Sequence, residues 1–162
     1  MHKLALGYIP RAIGALYENK GCVFVAVKRR DVRESAFILT FEMLFRNDSV
    51  EEILNVAREV EDILVNDEVE GLVKGISDKK DELDRIISKY SNKRAIERIP
   101  KINLAILRLA IYEAQYDEKV PVNVAISEAV ALAEKFAQDP DVAFINGVLG
   151  AYSRSGDAAD NE

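Results

Sequence analysis

Apolar residues recur at helical intervals along most of the chain, and the clearest run lies between residues 103 and 152. Leu104, Leu107 and Ile111 line one stripe, with Ile106 and Ala110 in the adjoining row. A second stripe holds Val122, Ile126, Ala129, Val130, Ala133 and Phe136. A third holds Phe144, Ile145, Val148, Leu149 and Tyr152. Steps of three, four and seven put such side chains on one face of an α-helix, and that face must be buried. Pro121 and Pro140 mark the breaks, with Asp139 expected as N-cap and Pro140 at the first helical position. Three wide stripes joined by short loops predict a helical core built by this half of the chain alone. Gly147 inside the third helix costs ~1 kcal/mol relative to Ala, a cost that close approach of another helix backbone would offset.

The first half carries the same periodicity less cleanly. Val32, Ala36, Leu39 and Met43, widened by Phe37, Phe41 and Leu44, predict a helix over 28–46. Ser49 and Glu52 form a capping-box pattern that opens a second helix. Its stripe runs from Ile53 through Val56, Ala57 and Val60 to Ile63 and Leu64. From Asp67 a third pattern carries Val69, Leu72, Val73 and Ile76, then Leu83, Ile86, Ile87 and Tyr90. The charged stretch 77–82 interrupts it, and the pattern reads as one long helix with a solvated face. The domain reading is therefore an extension over 1–27, an amino-terminal helical subdomain over 28–90, a carboxy-terminal one over 91–152, and a disordered acidic tail over 153–162.

Composition narrows the function. Of 162 residues, 49% are hydrophobic and 31% charged, as in a soluble helical protein, and the net charge of -6 argues against a protein that coats nucleic acid unselectively. Any RNA site must be a local basic patch. Lys28, Arg29, Arg30 and Arg33 against Asp31 give such a patch, with a formal charge of +3. Arg33 lies three and four residues from Arg30 and Arg29, so the three can share a helix face. Arginine suits phosphate because its planar fork donates two parallel hydrogen bonds. The single cysteine, Cys22, excludes an intramolecular disulfide, and a single histidine, His2, leaves no metal-ligand cluster. No phosphate-binding glycine loop or nucleophile elbow appears, so the chain reads as a non-enzyme without cofactor or metal. No apolar run approaches the ~20 residues of a membrane helix.

Arg108 lies in a strongly apolar run, where an unpartnered charge would cost several kcal/mol. It is expected to pair across helices with Glu113 or Glu128. Asn146 is expected to bond a neighbouring loop or carbonyl.

Five blocks in order resemble the NusB family: RRDVRE at 29–34, ILRLAIYE at 106–113, Val120-Pro121, AISEA at 125–129, and FINGVL at 144–149. The resemblance runs from about residue 28 to residue 152. It implies an all-α bundle of about six to seven helices in two packed three-helix subdomains. It also implies a cytoplasmic transcription antitermination factor that binds boxA-type single-stranded RNA with NusE, a small ribosomal protein. The complex then joins other Nus factors and RNA polymerase on ribosomal RNA operons. By the same resemblance the RNA contacts are Lys28, Arg29, Arg30 and Arg33, with Tyr90 and Phe144 as stacking residues. Phe144 suits the core equally well. Glu97 and Asn103 fall at the family's NusE-facing positions. Asp31 stands where the family is often basic or polar, Ala143 where some relatives are basic, and Arg94 where a tryptophan is usual.

Residues 1–27 match nothing in the family. Pro10 and Arg11 break the apolar stretch that a secretory signal would need. Two readings stay open for this segment: a start codon placed upstream of the native one, with the protein beginning near Val23, Val25 or Val27, and a loosely docked extension. Three rivals to the main function also stay open. They are a self-associating homodimer or ribosome-assembly factor, a helical interaction module without RNA, and the RNA-binding part of a cytosine RNA methyltransferase.

Overall fold

A computed structural model describes residues 27 to 161, with side chains from 27 to 158. The first 26 residues, including His2, Cys22 and both proposed start sites before Val27, lie outside the described residues. Among the described residues there are seven α-helices and two short 3-10 helices, and no strand: α1 Arg29–Glu42, α2 Val50–Ala57, α3 Asp67–Asp78, α4 Lys80–Tyr90, α5 Lys101–Tyr116, α6 Val122–Phe136 and α7 Asp139–Ser153. The 3-10 helices are Ile96–Arg98 and Gly156–Asn161. None of these helices is long and apolar enough to cross a membrane. The described residues fall into two compact units that divide between Val73 and Lys74, inside α3.

In the first unit, Ala36, Phe37 and Leu39 of α1 and Ile53, Leu54 and Ala57 of α2 are buried. Asp31 reaches back to the Lys28 amide (3.4 Å), so the acid that interrupts the basic patch also caps α1. The expected capping box is present on α2. Ser49 Oγ accepts from the Glu52 amide, and the Glu52 carboxylate accepts from the Ser49 amide at 2.7 Å. Those bonds from Ser49, backbone first, hold the Glu52 carboxyl below its ordinary range. The apolar stripe of α2 continues to Ile63, but the helix stops at Ala57. Residues beyond it turn, and Ile63 is buried from a loop instead. Ser35 Oγ accepts the Leu64 amide at 3.2 Å, and Arg58 pairs with Glu70. Asn66 Oδ1 accepts the Val69 amide (2.9 Å) and so starts α3.

The second unit is organised around α5. Residues Asn103 through Ile111 are all buried, so this helix is enclosed on every side. It packs on α4, α6 and α7, and α6 packs on α7. Ala125, Ala129 and Ala133 give α6 a small-residue face, and Ile145, Val148, Leu149 and Tyr152 bury the inner face of α7.

Several expectations are corrected here. The pattern over 67–90 is two helices, broken at Lys79 (φ -96°, ψ 8°). The charged stretch at the break is tied down: the Tyr116 hydroxyl donates to Glu82 (2.5 Å), and Lys79 lies 5.0 Å from the Tyr116 ring centroid. The Tyr116 bond is the main cause holding the Glu82 carboxyl low. Grouping also changes, because Leu83 and Ile87 are buried and α4 packs on α5 and α7, so α4 belongs with the second half. Gly147 meets nothing within 4 Å and needs no close approach. The crowded glycine is Gly75, where an added Cβ would collide with the Tyr112 hydroxyl and ring. Asn146 is exposed on α7 rather than bonded to a loop. Gln138 is the N-cap residue of α7, one place before Asp139, with Pro140 in the first turn. The tail does not fray after Ser153 but turns into the 3-10 helix Gly156–Asn161, with Ala158 buried.

Candidate nucleic-acid interface

The basic patch sits at the start of α1. Lys28, Arg29 and Arg30 are exposed there, whereas Arg33 is only 7% exposed. A helix N-terminus carries partial positive charge, so cations at this end are placed against the helix dipole.

In the second unit the aromatic candidates each stand under a cation. Tyr90 ends α4, half-buried, with its ring edge-on to the fully buried Tyr152 at 5.8 Å. Burial pushes the Tyr152 phenol above its ordinary range. The Tyr90 hydroxyl donates to Asp157 at 2.5 Å, and Lys89 donates to the same oxygen at 2.7 Å. Lys89 also lies 5.2 Å from the Tyr90 ring centroid. Lys89 and then Tyr90 hold the Asp157 carboxyl below the usual carboxylate range. The tail acid thus neutralises this end of the surface.

Phe144, half-buried in the first turn of α7, carries the Arg94 guanidinium 4.7 Å from its ring centroid. Such a pair at an exposed site is worth ~0.5–1 kcal/mol. The turn that delivers Arg94 is unusual. Asn92 and Lys93 both have left-handed backbones (φ 56° and 57°), closed by the Arg94 amide on the Ser91 carbonyl at 3.2 Å. Asparagine tolerates this region, but for lysine it costs roughly 1–2 kcal/mol. Among the described residues no carboxylate pairs with Lys93 or Arg94, and both are exposed.

The remaining candidates divide. Glu97 is exposed in the 3-10 helix Ile96–Arg98, so it can meet a partner. Asn103 is corrected: it is 1% exposed and donates to Asp141 Oδ1 at 2.8 Å, joining α5 to α7 rather than facing outward. Arg108 is buried as expected, but its partner is Asp84 of α4, through Nε (2.7 Å) and Nη2 (2.8 Å). Glu113, five residues on, is about 140° around the helix by its 3.6-residue turn and cannot share that side. Glu113 is buried elsewhere on α5, and Glu128 is half-buried on α6. Asp84 escaped notice because an acid beside an apolar stripe looks like a solvated position. Lys89 and Asp157 gave no signal, since only folding brings the tail to α4.

Comparison with known proteins bears on all of this. The NusB family model matches residues 30–154. The transcription antitermination protein NusB of Acetivibrio thermocellus is 41% identical over 124 residues, covering 75% of this chain and 86% of that protein. Its counterpart in Bacillus subtilis is 39% identical over 123 residues, covering 76% and 92%. The fold is similar to that of T. maritima NusB, with a TM-score of 0.71 at 24% identity over 84% of this chain and 99% of that one. A crystal structure of antitermination factors NusB and NusE in complex with dsRNA aligns with a TM-score of 0.66 at 26% identity, covering 76% and 93%.

Proposed function

Since the chain belongs to the NusB family, we propose that it is a cytoplasmic transcription antitermination factor that binds boxA-type single-stranded RNA together with NusE. It works by assembly with RNA polymerase and other Nus factors, and makes or breaks no bond. One observation supports the RNA reading above others: a chain of net charge -6 exposes Lys28, Arg29 and Arg30 together, at the end of α1 where the helix dipole disfavours them. Phosphate oxygens would accept from such exposed cations. Tyr90 and Phe144 serve as stacking surfaces, as unpaired bases require. Arg33, being buried, positions the start of α1. The exposed Glu97 serves the NusE face, where an acid suits a basic ribosomal protein.

The test is a titration of labelled boxA RNA, single-stranded and duplex, with and without NusE, across a salt series. Salt-sensitive binding that favours the single strand and strengthens with NusE is expected. An Arg29→Ala, Arg30→Ala variant should weaken binding to all sequences and flatten the logarithmic salt slope by about 1.4. Binding of neither RNA under either condition overturns the function.

A further inference from the structure

We propose that the turn over residues 91 to 94 is a nucleotide subsite in which Arg94, stacked on Phe144, is a phosphate-pairing and ring-positioning residue. This rests on the RNA-binding reading and assigns it a new contact. Three observations converge on it. The guanidinium carbon lies 4.7 Å from the centroid of the Phe144 ring, on a side chain that is exposed. Among the described residues the guanidinium meets no carboxylate, although the chain carries an excess of acids. The backbone that aims it passes through two successive left-handed residues, Asn92 and Lys93, of which the second is a poor choice for that conformation. Backbone held in sparsely populated regions persists only where its surroundings enforce it, and Ser91, buried at the base of the turn, anchors it here.

The neighbouring pair provides a contrast. Lys89 and Tyr90 form the same cation-on-ring arrangement, but Asp157 satisfies both. The Arg94 pair has no such acid. An exposed cation with five donors and no acceptor is a site for an anion, and a guanidinium plane can also stack on a base. The ligand that offers both a phosphate and a π-face is a nucleotide of a single strand. Phe144 lies eight residues before Tyr152, whose ring Tyr90 meets, so the two cation-aromatic pairs are separated by roughly 12 Å along α7. A flexible strand can span that interval, with Arg94 holding one of its nucleotides.

The experiment compares wild type, Arg94→Ala, Arg94→Lys and Phe144→Leu for RNA affinity, salt slope, NusE affinity and thermal midpoint. Arg94→Ala is expected to weaken RNA binding about fivefold to tenfold at moderate salt and to lower the logarithmic salt slope by about 0.7, one phosphate's worth. NusE affinity and the thermal midpoint should not change. Arg94→Lys should keep the slope but lose about twofold to threefold in affinity, because an ammonium does not stack. Phe144→Leu should lose affinity with the slope intact. An Arg94→Ala variant with unchanged RNA affinity and slope, in a protein whose wild type binds RNA, overturns the proposal. So does a loss confined to NusE binding, or one that tracks a fall in thermal midpoint. Wild type that binds no RNA at all instead overturns the function itself.

Discussion

Two arginines of the second unit show opposite uses of the same side chain. Arg108 is sealed in the seam between α4 and α5 and gives two bonds to Asp84. Arg94 stands on the exposed rim over Phe144 and gives its side-chain donors to no acid among the described residues. A buried charge without its partner is costly, so the seam is a structural commitment. An exposed charge costs little, so the rim is open to a ligand. The difference separates a residue whose loss should reduce stability from one whose loss should leave stability nearly unchanged.

The seam can be broken most forcefully. Asp84→Ala should leave Arg108 buried and uncompensated, and reduce stability by about 3–5 kcal/mol in urea denaturation. Replacing both residues with leucine or methionine should recover most of that loss. A single variant within 1 kcal/mol of wild type, by the same estimate, would remove the seam from the account. Gly75→Ala comes next, since its Cβ would meet the Tyr112 hydroxyl and ring. Overpacking of that kind costs about 1–3 kcal/mol, and in a Tyr112→Ala background the cost of the added methyl should shrink. Equal costs in both backgrounds would contradict the close approach of Tyr112 to Gly75. On the rim, Arg94→Ala should change stability by less than about 1 kcal/mol, the value of an exposed cation-aromatic pair.

The smallest effect lies at Asp157. Its carboxyl is held low by Lys89 and Tyr90, so its contribution is fully present above the unfolded carboxylate pKa and is lost as pH falls through the folded value. In wild type the Tyr90 ring resonances should shift across that acid range, while in Asp157→Asn they should stay flat. Identical acid titrations would show that the tail does not engage Tyr90. The same variant should modestly raise RNA affinity if Lys89 and Tyr90 contact the strand.

The seam and the rim were unequally legible in the sequence. The stripes of α5, α6 and α7 are wide and bounded by prolines, so pattern alone located them. The Ser49 and Glu52 cap was equally plain, because both halves of its chemistry lie three residues apart. What local pattern did not reveal was set by contacts distant in sequence. The break at Lys79 occurs amid good helix formers, beside a charged stretch held by Tyr116. The α2 stripe outruns its helix because Ile63 is buried from a turn. Asp84 is 24 residues from Arg108, a spacing with no local signature. Gly147 looked constrained and is open, whereas Gly75 looked ordinary and is filled by Tyr112. At the candidate site the basic start of α1 was readable from composition. Arg94 stood out only as a departure from the family's usual tryptophan, and its place over Phe144 needed the fold.

The most direct measurement is the affinity of the intact protein for single-stranded boxA RNA in the presence of NusE, followed from low to moderate salt. The account predicts tight binding that weakens steeply as salt rises and that falls sharply when NusE is withheld. Binding that is absent throughout, or that ignores both salt and NusE, would contradict it.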